Sequence, residues 1–307
     1  MGKSALALVV ARRYPAEIIV ADSMQVYRGM DVGTGKPSSW ERAAVPHHLL
    51  DICEPSGSFS ASEFASRALA LVGEIRGRDR LPIIVGGTGL YLRAMLKGRL
   101  AGAGGQPAIR ARLLREAESV GSRGLHERLI ALDPATAARV HPRDQLRVIR
   151  ALELLEVTGR RPSEIRAGLW DAPQFHISAM LVLTRDRQEL DWLIDERARA
   201  MWEGGLVSEV QKLLAEGHGP DLPAFRSLGY REAVAHLRGL LTEAEGLRHM
   251  QRATRRYARR QLGWFRREPA AEWVSVRGWD WVEPLAERLI ARLACPQVPS
   301  ETPPIPV

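Results

Sequence analysis

Three short apolar runs constrain the fold of this chain more than any other feature of its sequence. They are EIIVADS at 17–23, LPIIVGGTG at 81–89 and ISAMLVLT at 177–184. Uninterrupted apolar character with many β-branched residues is typical of parallel strands that are buried on both faces. Because helical patterns separate the runs, the sequence predicts an α/β fold of the doubly wound kind, with a parallel sheet at its core.

The pattern changes between residues 103 and 175, where a glycine-rich stretch precedes a sequence that is helical throughout. Asp133-Pro134 is a helix start and Gly159 a helix stop. We therefore predict a core from 1–102 and 176–275, a helical insertion domain at 103–175, and a C-terminal helix with a disordered proline-rich tail at 276–307.

The charge balance indicates a polyanionic partner. The chain has 44 lysines and arginines against 36 aspartates and glutamates, a net charge of +8. Arginine dominates the basic residues and suits phosphate binding, although a GC-rich genome would enrich it as well. No apolar run approaches the roughly 20 residues of a membrane span. The two cysteines form no disulfide or metal pattern, so we expect a cytoplasmic protein without a membrane partner.

Gly2-Lys3-Ser4, followed by an apolar helical run, matches the second half of the phosphate-binding loop G-x-x-x-x-G-K-[ST]. Helix N–H groups and Lys3 can hold a diphosphate there, and the Ser4 hydroxyl can ligate magnesium. A chance GKS is the alternative. Because the strand and first glycine of such a loop are missing, we expect the natural chain to begin about a dozen residues upstream of Met1.

Two polar loops follow the first two apolar runs. Asp22 and Ser23 end the first, and Gly-Gly-Thr88-Gly ends the second. Ligands bind at the carboxyl ends of parallel strands, so Asp22 is a candidate magnesium ligand or general base, with a helix cap as the alternative. Glycines beside Thr88 permit close approach of the backbone. Lys36, in the glycine-rich turn GMDVGTGKP, could cover a ligand.

The segment QRATRRYARRQLGWFRRE predicts a nucleic-acid-binding helix. Its arginines at 252, 255, 256, 259 and 260 recur at helical spacing on one face. Like charges in a row repel each other, and a phosphate backbone explains them better than a solvated face does. Tyr257, Gln261, Trp264 and Phe265 lie away from this row and can pack on the core or stack.

These stretches, in order, resemble the tRNA dimethylallyltransferase (tRNA isopentenyltransferase) family from residue 2 to residue 268. VHPRDQLRVIRALELLEVTG, IDERARAMWEGGL and FRSLGYRE add to the resemblance. It implies a P-loop-type α/β core and transfer of a dimethylallyl group from dimethylallyl diphosphate to the exocyclic amine of the tRNA adenosine 3′-adjacent to the anticodon. It further implies Mg2+ as cofactor and the tRNA anticodon stem-loop as partner.

The resemblance also implies roles for individual residues. Gly2, Lys3 and Ser4 would hold the donor diphosphate with magnesium. Asp22 would be the general base, Thr88 would line the reaction channel, and Arg197 would reach the diphosphate. Contacts with tRNA are implied for Asp22, Ser23, Met24, Gln25, Thr88, Arg110, Arg143, Asp144, Gln145, Leu146, Arg147, Arg226, Gly229, Tyr230, Arg231, Arg255, Arg256, Arg259 and Arg260. RDQLR departs from the D-x-Q-R that relatives often show.

Two other functions remain open. A P-loop small-molecule kinase would share the GKS and the sheet, but it would need neither the arginine-rich helix nor the insertion. A non-catalytic RNA-binding protein is possible if the front of the loop is truly lost. His47, His48, Asp51 and Cys53 are more typical of structural residues than of a metal site. We expect Trp273, Trp279 and Trp281 in the core, and a monomer by default.

Overall fold

A computed structural model describes residues 2–96, 106–167 and 177–294. The chain divides into two compact units, the first formed by 1–59, 67–89 and 177–307 and the second by 60–66 and 90–176. The glycine-rich stretch at 101–105 and the predicted disordered tail lie outside the described residues.

The described strands all lie in the first unit, and helices occur in both units. The strands are β1 (Ala16–Ala21), β2 (His47–His48), β3 (Leu81–Gly86), β4 (Met180–Thr184) and β5 (Ala271–Ser275). The helices are α1 (Lys3–Arg13), α2 (Ser39–Ala44), α3 (Ala61–Arg76), α4 (Gly89–Leu96), α5 (Pro107–Leu132), α6 (Pro134–Ala137), α7 (Gln145–Thr158), α8 (Pro162–Ala167), α9 (Arg187–Met201), α10 (Val207–Ala215), α11 (Tyr230–Leu237), α12 (Glu243–Phe265) and α13 (Val282–Ala294). A π-helical turn, Trp202–Leu206, joins α9 to α10, and a 3₁₀ turn, Pro223–Arg226, precedes α11.

The first unit contains two parallel sheets. Strand β1 is the centre of a three-stranded sheet in the order β2-β1-β3, and it pairs with β3 from Ala16↔Leu81 to Ala21↔Gly86. Strand β4 pairs with β5 in a two-stranded sheet. The three strands predicted from apolar runs are confirmed as β1, β3 and β4. Strands β2 and β5 were not predicted, because one is two residues long and the other, AEWVS, carries a glutamate.

Three apolar clusters of described residues lie in the first unit, and two of them position the site. One joins α1 to β4 and α13 through Leu6, Leu183 and Leu285. The other surrounds the fully buried Tyr230 with side chains from α9 to α12. The first cluster fixes the start of α1 beside the sheets, which is where the Gly2-Lys3-Ser4 segment lies.

The expectation that three C-terminal tryptophans lie in the core is wrong for two of them. Trp273 is 42% exposed and Trp279 is 52% exposed. Strand β5 has a neighbour on one side only within the described sheet, so Trp273 remains partly in solvent. The ring of Trp279 instead lies against the Arg185 guanidinium, 5.0 Å from its centroid. Trp281 does pack against the α1–α13 cluster.

The second unit is helical. Its core packs α5 against α7 through residues such as Leu125, Leu129 and Leu152. The predicted helix start and stop are confirmed: Asp133 caps α6 by accepting a hydrogen bond from the Thr136 N–H, and Gly159 ends α7 in the left-handed conformation, φ 64°. The second unit consists of residues 60–66 and 90–176. Its main segment therefore starts at residue 90, whereas the sequence predicted a boundary at residue 103.

The aromatic rings of Phe64 and Tyr91 account for this earlier boundary. Phe64 lies in α3 and Tyr91 in α4, and their rings stack with centroids 4.5 Å apart. This contact ties the first residues of α3 to α4 within the second unit.

Candidate active site

The start of α1 is open to an anion. Gly2 is the N-cap residue with φ 87°, and the described residues provide no side-chain cap for this helix. A Cβ atom at Gly2 would lie 2.6 Å from the Trp281 ring, so both the backbone conformation and the space require glycine. Uncapped N–H groups at the positive end of the helix dipole favour a negatively charged ligand.

Lys3, Arg197 and Asp22 lie within electrostatic range of one another. The lysine and arginine are exposed to solvent, yet enough protein surrounds them that desolvation lowers the pKa of each. The Arg197 charge lowers the pKa of Lys3 further, and the Asp22 carboxylate opposes the shift at both cations. Two cations in a partly desolvated site with one carboxylate favour an anion of more than one charge.

The Asp22 carboxylate is oriented by its own backbone. Its Oδ1 accepts hydrogen bonds from the N–H groups of Met24, at 2.8 Å, and Gln25, at 3.4 Å. Among the described residues Oδ2 has no hydrogen-bond donor. Asp22 therefore caps a tight turn rather than a helix and keeps one oxygen available to accept a proton.

Thr88 joins the two strand-end loops. The N–H of Ser23 donates to Thr88 Oγ1 at 3.1 Å, and Thr88 Oγ1 lies 3.5 Å from Ser23 Oγ. The N–H of Thr88 reaches the carbonyl of Ala21 at 3.3 Å. The prediction that the Asp22 and Thr88 loops converge at one edge of the sheet is confirmed.

The glycines around Thr88 allow α12 to approach. A Cβ at Gly87 would lie 2.1 Å from Gln261 Nε2, and one at Gly89 would lie 2.3 Å from the Trp264 ring. Gln261 Nε2 donates a 2.8 Å hydrogen bond to the Gly87 carbonyl. The face of α12 opposite its arginines therefore forms a wall of the site.

Tyr257 belongs to the same wall. Burial raises the pKa of its hydroxyl, and so does the charge of Asp22; its side chain also interacts with Gln261 and Thr88. Tyr257 and Gln261 were not predicted as site residues. Their spacing of four places them on one helix face away from the arginines, a signal that sequence could provide.

The turn that contains Lys36 is built differently from the prediction. Lys36 Nζ donates to the Tyr27 carbonyl, to Asp31 Oδ1 at 2.6 Å and to Asp51 Oδ1 at 2.5 Å, and its side chain is 1% exposed. The prediction that Lys36 covers a ligand is therefore wrong, because its ammonium group is buried and already donates to three oxygen atoms of the fold. The turn approaches Arg197 at Gly35, where a Cβ would lie 2.2 Å from Arg197 Nη2.

The histidine segment serves the fold. His48 Nε2 lies 2.7 Å from Glu17 Oε2, and Asp51 pairs with Lys36 and Arg42. No group of three or more His, Cys, Asp or Glu side chains that could hold a metal occurs in 2–96, 106–167 or 177–294.

Among the residues predicted to contact tRNA, Tyr230 and Gly229 are structural. Tyr230 has no exposed surface, and its hydroxyl donates to Glu209 Oε1. Gly229 is buried with φ 86° at the start of α11. A side-chain contact between Tyr230 and tRNA is therefore wrong, because the apolar cluster of the first unit encloses the ring. Arg226 and Arg231, which flank the pair, are exposed.

The arginine row on α12 is divided between two environments. Arg255 forms an ion pair with Asp195 of α9, and Arg259 lies 3.5 Å from Asp191 of the same helix. Arg256 is exposed and has no ion pair among the described residues. Two arginines of the predicted row therefore meet carboxylates of α9.

The remaining predicted tRNA residues lie in the second unit. Arg110 pairs with the buried Glu153 at 2.9 Å, and Asp144 caps α7 by accepting from the Arg147 N–H at 3.2 Å. Leu146 is 76% exposed, more than any other large apolar residue in the described part of the chain. The side chain of Arg147 is 74% exposed, and Arg143 is also exposed. The surface at the start of α7 therefore combines basic and apolar character.

No helix in the described part of the chain has the length and apolar character needed to cross a membrane.

Comparison with known proteins agrees with this geometry. The family model described as IPP transferase matches residues 25–268. A tRNA dimethylallyltransferase of Anaeromyxobacter sp. (strain K) is 49% identical over 290 residues, covering 94% of this chain and 93% of the relative. The tRNA dimethylallyltransferase of Geobacter sulfurreducens is 44% identical and covers 89% and 88%.

Solved structures show the same similarity. The tRNA isopentenylpyrophosphate transferase of Bacillus halodurans matches with a TM-score of 0.67 and 37% identity, covering 95% of this chain and 93% of that protein. A eukaryotic dimethylallyltransferase acting on tRNA matches with a TM-score of 0.82 and 26% identity, covering 94% and 75%. With a family model that spans most of its length and relatives at this identity, the chain belongs to the IPP transferase family, with its P-loop-type α/β fold.

Proposed function

We propose that this chain is a prenyltransferase that moves a dimethylallyl group from dimethylallyl diphosphate to the exocyclic amine of the tRNA adenosine 3′-adjacent to the anticodon, releasing diphosphate. The observation that carries the proposal is the clustering of Lys3, Arg197 and Asp22 within electrostatic range of one another at the open start of α1. This arrangement has cations for a departing diphosphate and a carboxylate for an incoming amine.

The two cations act on the leaving group. Departure of diphosphate from an allylic carbon builds positive charge on carbon and negative charge on the phosphate oxygens. Lys3 and Arg197 stabilise that developing anion, and partial desolvation strengthens their effect.

Asp22 acts on the nucleophile. An aromatic amine is a weak nucleophile, and its attack on the allylic carbon forms the C–N bond as the C–O bond to diphosphate breaks. Asp22 Oδ2 accepts the proton that the amine loses, while Oδ1 stays bound to the Met24 and Gln25 N–H groups. Thr88, fixed by Ser23, lines the same edge of the sheet and orients the base.

Magnesium fits this site through Ser4. The Ser4 hydroxyl is exposed in the first turn of α1, next to the uncapped N–H groups. Magnesium commonly takes one or two protein ligands and completes its octahedron with phosphate oxygens and water, so a site without a cluster of carboxylates suits it. When bound with the donor, magnesium would neutralise part of the diphosphate charge.

The tRNA is the polyanionic partner that the basic residues require. Exposed Arg226, Arg231 and Arg256 of the first unit, and Arg143 and Arg147 of the second, support contacts with its phosphates. The adenosine is stacked in the anticodon loop, so it must leave the stack to reach Asp22.

Nucleoside analysis of an unmodified anticodon stem-loop, after incubation with the chain, magnesium and dimethylallyl diphosphate, tests this function. We expect one adenosine to gain a dimethylallyl group. Asp22→Asn keeps the oxygen that accepts from the backbone but removes the base, so the rate should fall by roughly 10²–10⁴-fold while the stem-loop still binds. Asp221→Asn, an exposed control, should leave the rate unchanged.

Two outcomes would contradict the proposal. Phosphate transfer from ATP to a small molecule, with no prenylated nucleoside, would indicate a kinase. Binding of the stem-loop with no transfer by the wild-type chain would indicate an RNA-binding protein.

A further inference from the structure

Glu209, in α10, binds the glycine-rich turn that lies beneath Arg197. Its Oε2 accepts hydrogen bonds from the N–H groups of Asp31 and Val32, both at 2.8 Å. Its Oε1 accepts from the Gly33 N–H at 3.3 Å and from the Tyr230 hydroxyl. Four donors therefore converge on one carboxylate, and three of them belong to consecutive residues of the turn.

The turn lies along α9 and α10. A Cβ at Gly33 would meet the Tyr230 ring at 2.5 Å and Leu206 at 2.6 Å, and one at Gly35 would meet Arg197 Nη2 at 2.2 Å and Met201 Cε at 2.8 Å. Glycine at these positions lets the turn touch the helical segment from Arg197 to Glu209. Any movement of the turn therefore changes the surface on which the Arg197 guanidinium rests.

The π-helical turn Trp202–Leu206, kinked at Gly205 with φ 107°, separates Arg197 of α9 from Glu209 of α10. Both residues nevertheless meet the same glycine-rich turn. A Cβ at Gly35 would lie 2.2 Å from Arg197 Nη2, and Glu209 accepts hydrogen bonds from the N–H groups of residues 31–33.

Tyr230 keeps Glu209 in place. Burial raises the pKa of the Tyr230 hydroxyl, and the neighbouring Glu209 carboxylate raises it as well, so the hydroxyl remains a donor. The tyrosine of the LGYR segment thus binds the same oxygen, Glu209 Oε1, that accepts from the Gly33 N–H of the turn.

We propose that Glu209 is a positioning residue for the transfer reaction, holding the turn 31–35 against α9–α10 so that Gly35 supports the Arg197 guanidinium beside the diphosphate. This inference rests on the proposed function, in which Arg197 stabilises the departing diphosphate. Glu209 itself touches neither substrate. Glu209 acts through Arg197, and removal of the Glu209 carboxylate should lower kcat because the Arg197 guanidinium is then displaced from the diphosphate.

Steady-state kinetics of three variants test the proposal first. Glu209→Ala should lower kcat roughly 10- to 100-fold, as expected for misplacement of a catalytic group, with KM for the stem-loop within about twofold of wild type. Glu209→Gln should recover most of the rate, since its oxygen can accept from Asp31 and Val32 while its amide donates to Tyr230. Glu216→Ala, at the exposed C-cap of α10, is the control and should leave kcat unchanged.

The decisive comparison is Glu209→Ala in an Arg197→Ala background. If Glu209 acts through Arg197, adding Glu209→Ala should change kcat by less than about twofold there. Independent, multiplying effects of the two substitutions would overturn the proposal, as would a Glu209→Ala variant with wild-type kcat and only a lower melting temperature.

Gly35→Ala provides a second route if Glu209→Ala does not fold. The added methyl group would occupy space within 2.2 Å of Arg197 Nη2, so kcat should fall although Glu209 is intact. Unchanged kcat in Gly35→Ala would contradict the positioning role. An inactive wild-type chain would instead refute the proposed function, which keeps the two failures distinct.

Discussion

At Gly89 the space for a side chain is already filled by the indole ring of Trp264. A Cβ there would lie 2.3 Å from Trp264 Cδ2, whereas no described atom lies within 4 Å of the corresponding position at Gly73, in α3. Both residues are in helices and have ordinary backbone angles, so they differ mainly in the space beside them. A single residue thus sets how closely α12 approaches the strand-end loops.

Alanine substitutions at these two glycines should have opposite effects on stability. Gly89→Ala must displace Trp264 and should lower the free energy of unfolding by about 1–3 kcal/mol. Gly73→Ala should raise it by about 0.5–1 kcal/mol, because alanine loses less backbone entropy in a helix interior. Urea denaturation of both variants measures the change, and stabilisation by Gly89→Ala would show that α12 does not pack as described.

At the scale of single elements, helix α12 has two faces with different roles. One bears Gln261 and Trp264 against the strand-end loops, and the other carries arginines toward α9 and solvent. Arg255 forms an ion pair with Asp195, whereas Arg256 is exposed. The Arg255 guanidinium is therefore paired within the fold, whereas the neighbouring Arg256 guanidinium is available to bind a phosphate group.

The salt dependence of tRNA binding should distinguish these two arginines. Arg256→Ala should reduce the slope of log affinity against log salt by about 0.7–0.9, as expected when one phosphate contact is lost. Arg255→Ala should change the slope less and lower the melting temperature, because it leaves Asp195 without its partner. Fluorescence anisotropy with a labelled stem-loop measures both slopes. Equal slope changes for the two variants would mean that the Asp195 pair opens when tRNA binds.

The sequence predicts those parts of the site that depend on local patterns. Strands β1 and β3 are identifiable because their apolar runs are continuous, although only β1 is buried throughout. Parallel pairing then brings Asp22 and Thr88 to one edge of the sheet. The helical spacing of the α12 arginines was also correct. Each of these inferences needs only a short window of sequence and the geometry of one element.

The rest depends on contacts that no local pattern contains. Gln261 reaches the Gly87 carbonyl across 174 positions of sequence, and Asp195 lies 60 positions from the Arg255 that it neutralises. Tyr230 belongs to a segment with flanking arginines that is typical of a surface, yet its ring is enclosed by the apolar cluster of the first unit. Tertiary packing decides which residues surround a given side chain, and no short window of sequence indicates these neighbours.

At the scale of the whole molecule, acid stability depends on a carboxylate in the central strand of the sheet. Glu17 of β1 has a side chain that is 5% exposed, with Arg78 Nη2 2.8 Å and His48 Nε2 2.7 Å from its Oε2. Burial alone would raise the pKa of Glu17. The hydrogen bonds from Arg78 and His48 and their charges outweigh burial and lower the pKa from 4.5 to about 2.

The sign of the pH dependence follows from this shift. Because the folded-state pKa is the lower one, Glu17 stabilises the fold fully above the unfolded value of 4.5 and progressively less as pH falls toward about 2. A shift from 4.5 to about 2 corresponds to about 3 kcal/mol at neutral pH. Below both values the contribution is lost, since the folded and the unfolded chain then carry the same proton.

Glu17→Gln should therefore lower the free energy of unfolding at pH 7 and flatten its decline between pH 5 and pH 2 by up to about 1.4 kcal/mol per pH unit, the effect of one proton. Urea denaturation across this range measures both quantities. Glu54→Gln is the matched control, because its pair with Arg28 lies half in solvent and such pairs contribute little. If Glu17→Gln unfolds with the wild-type slope, the acid sensitivity of the molecule arises from carboxylates other than the one in the central strand.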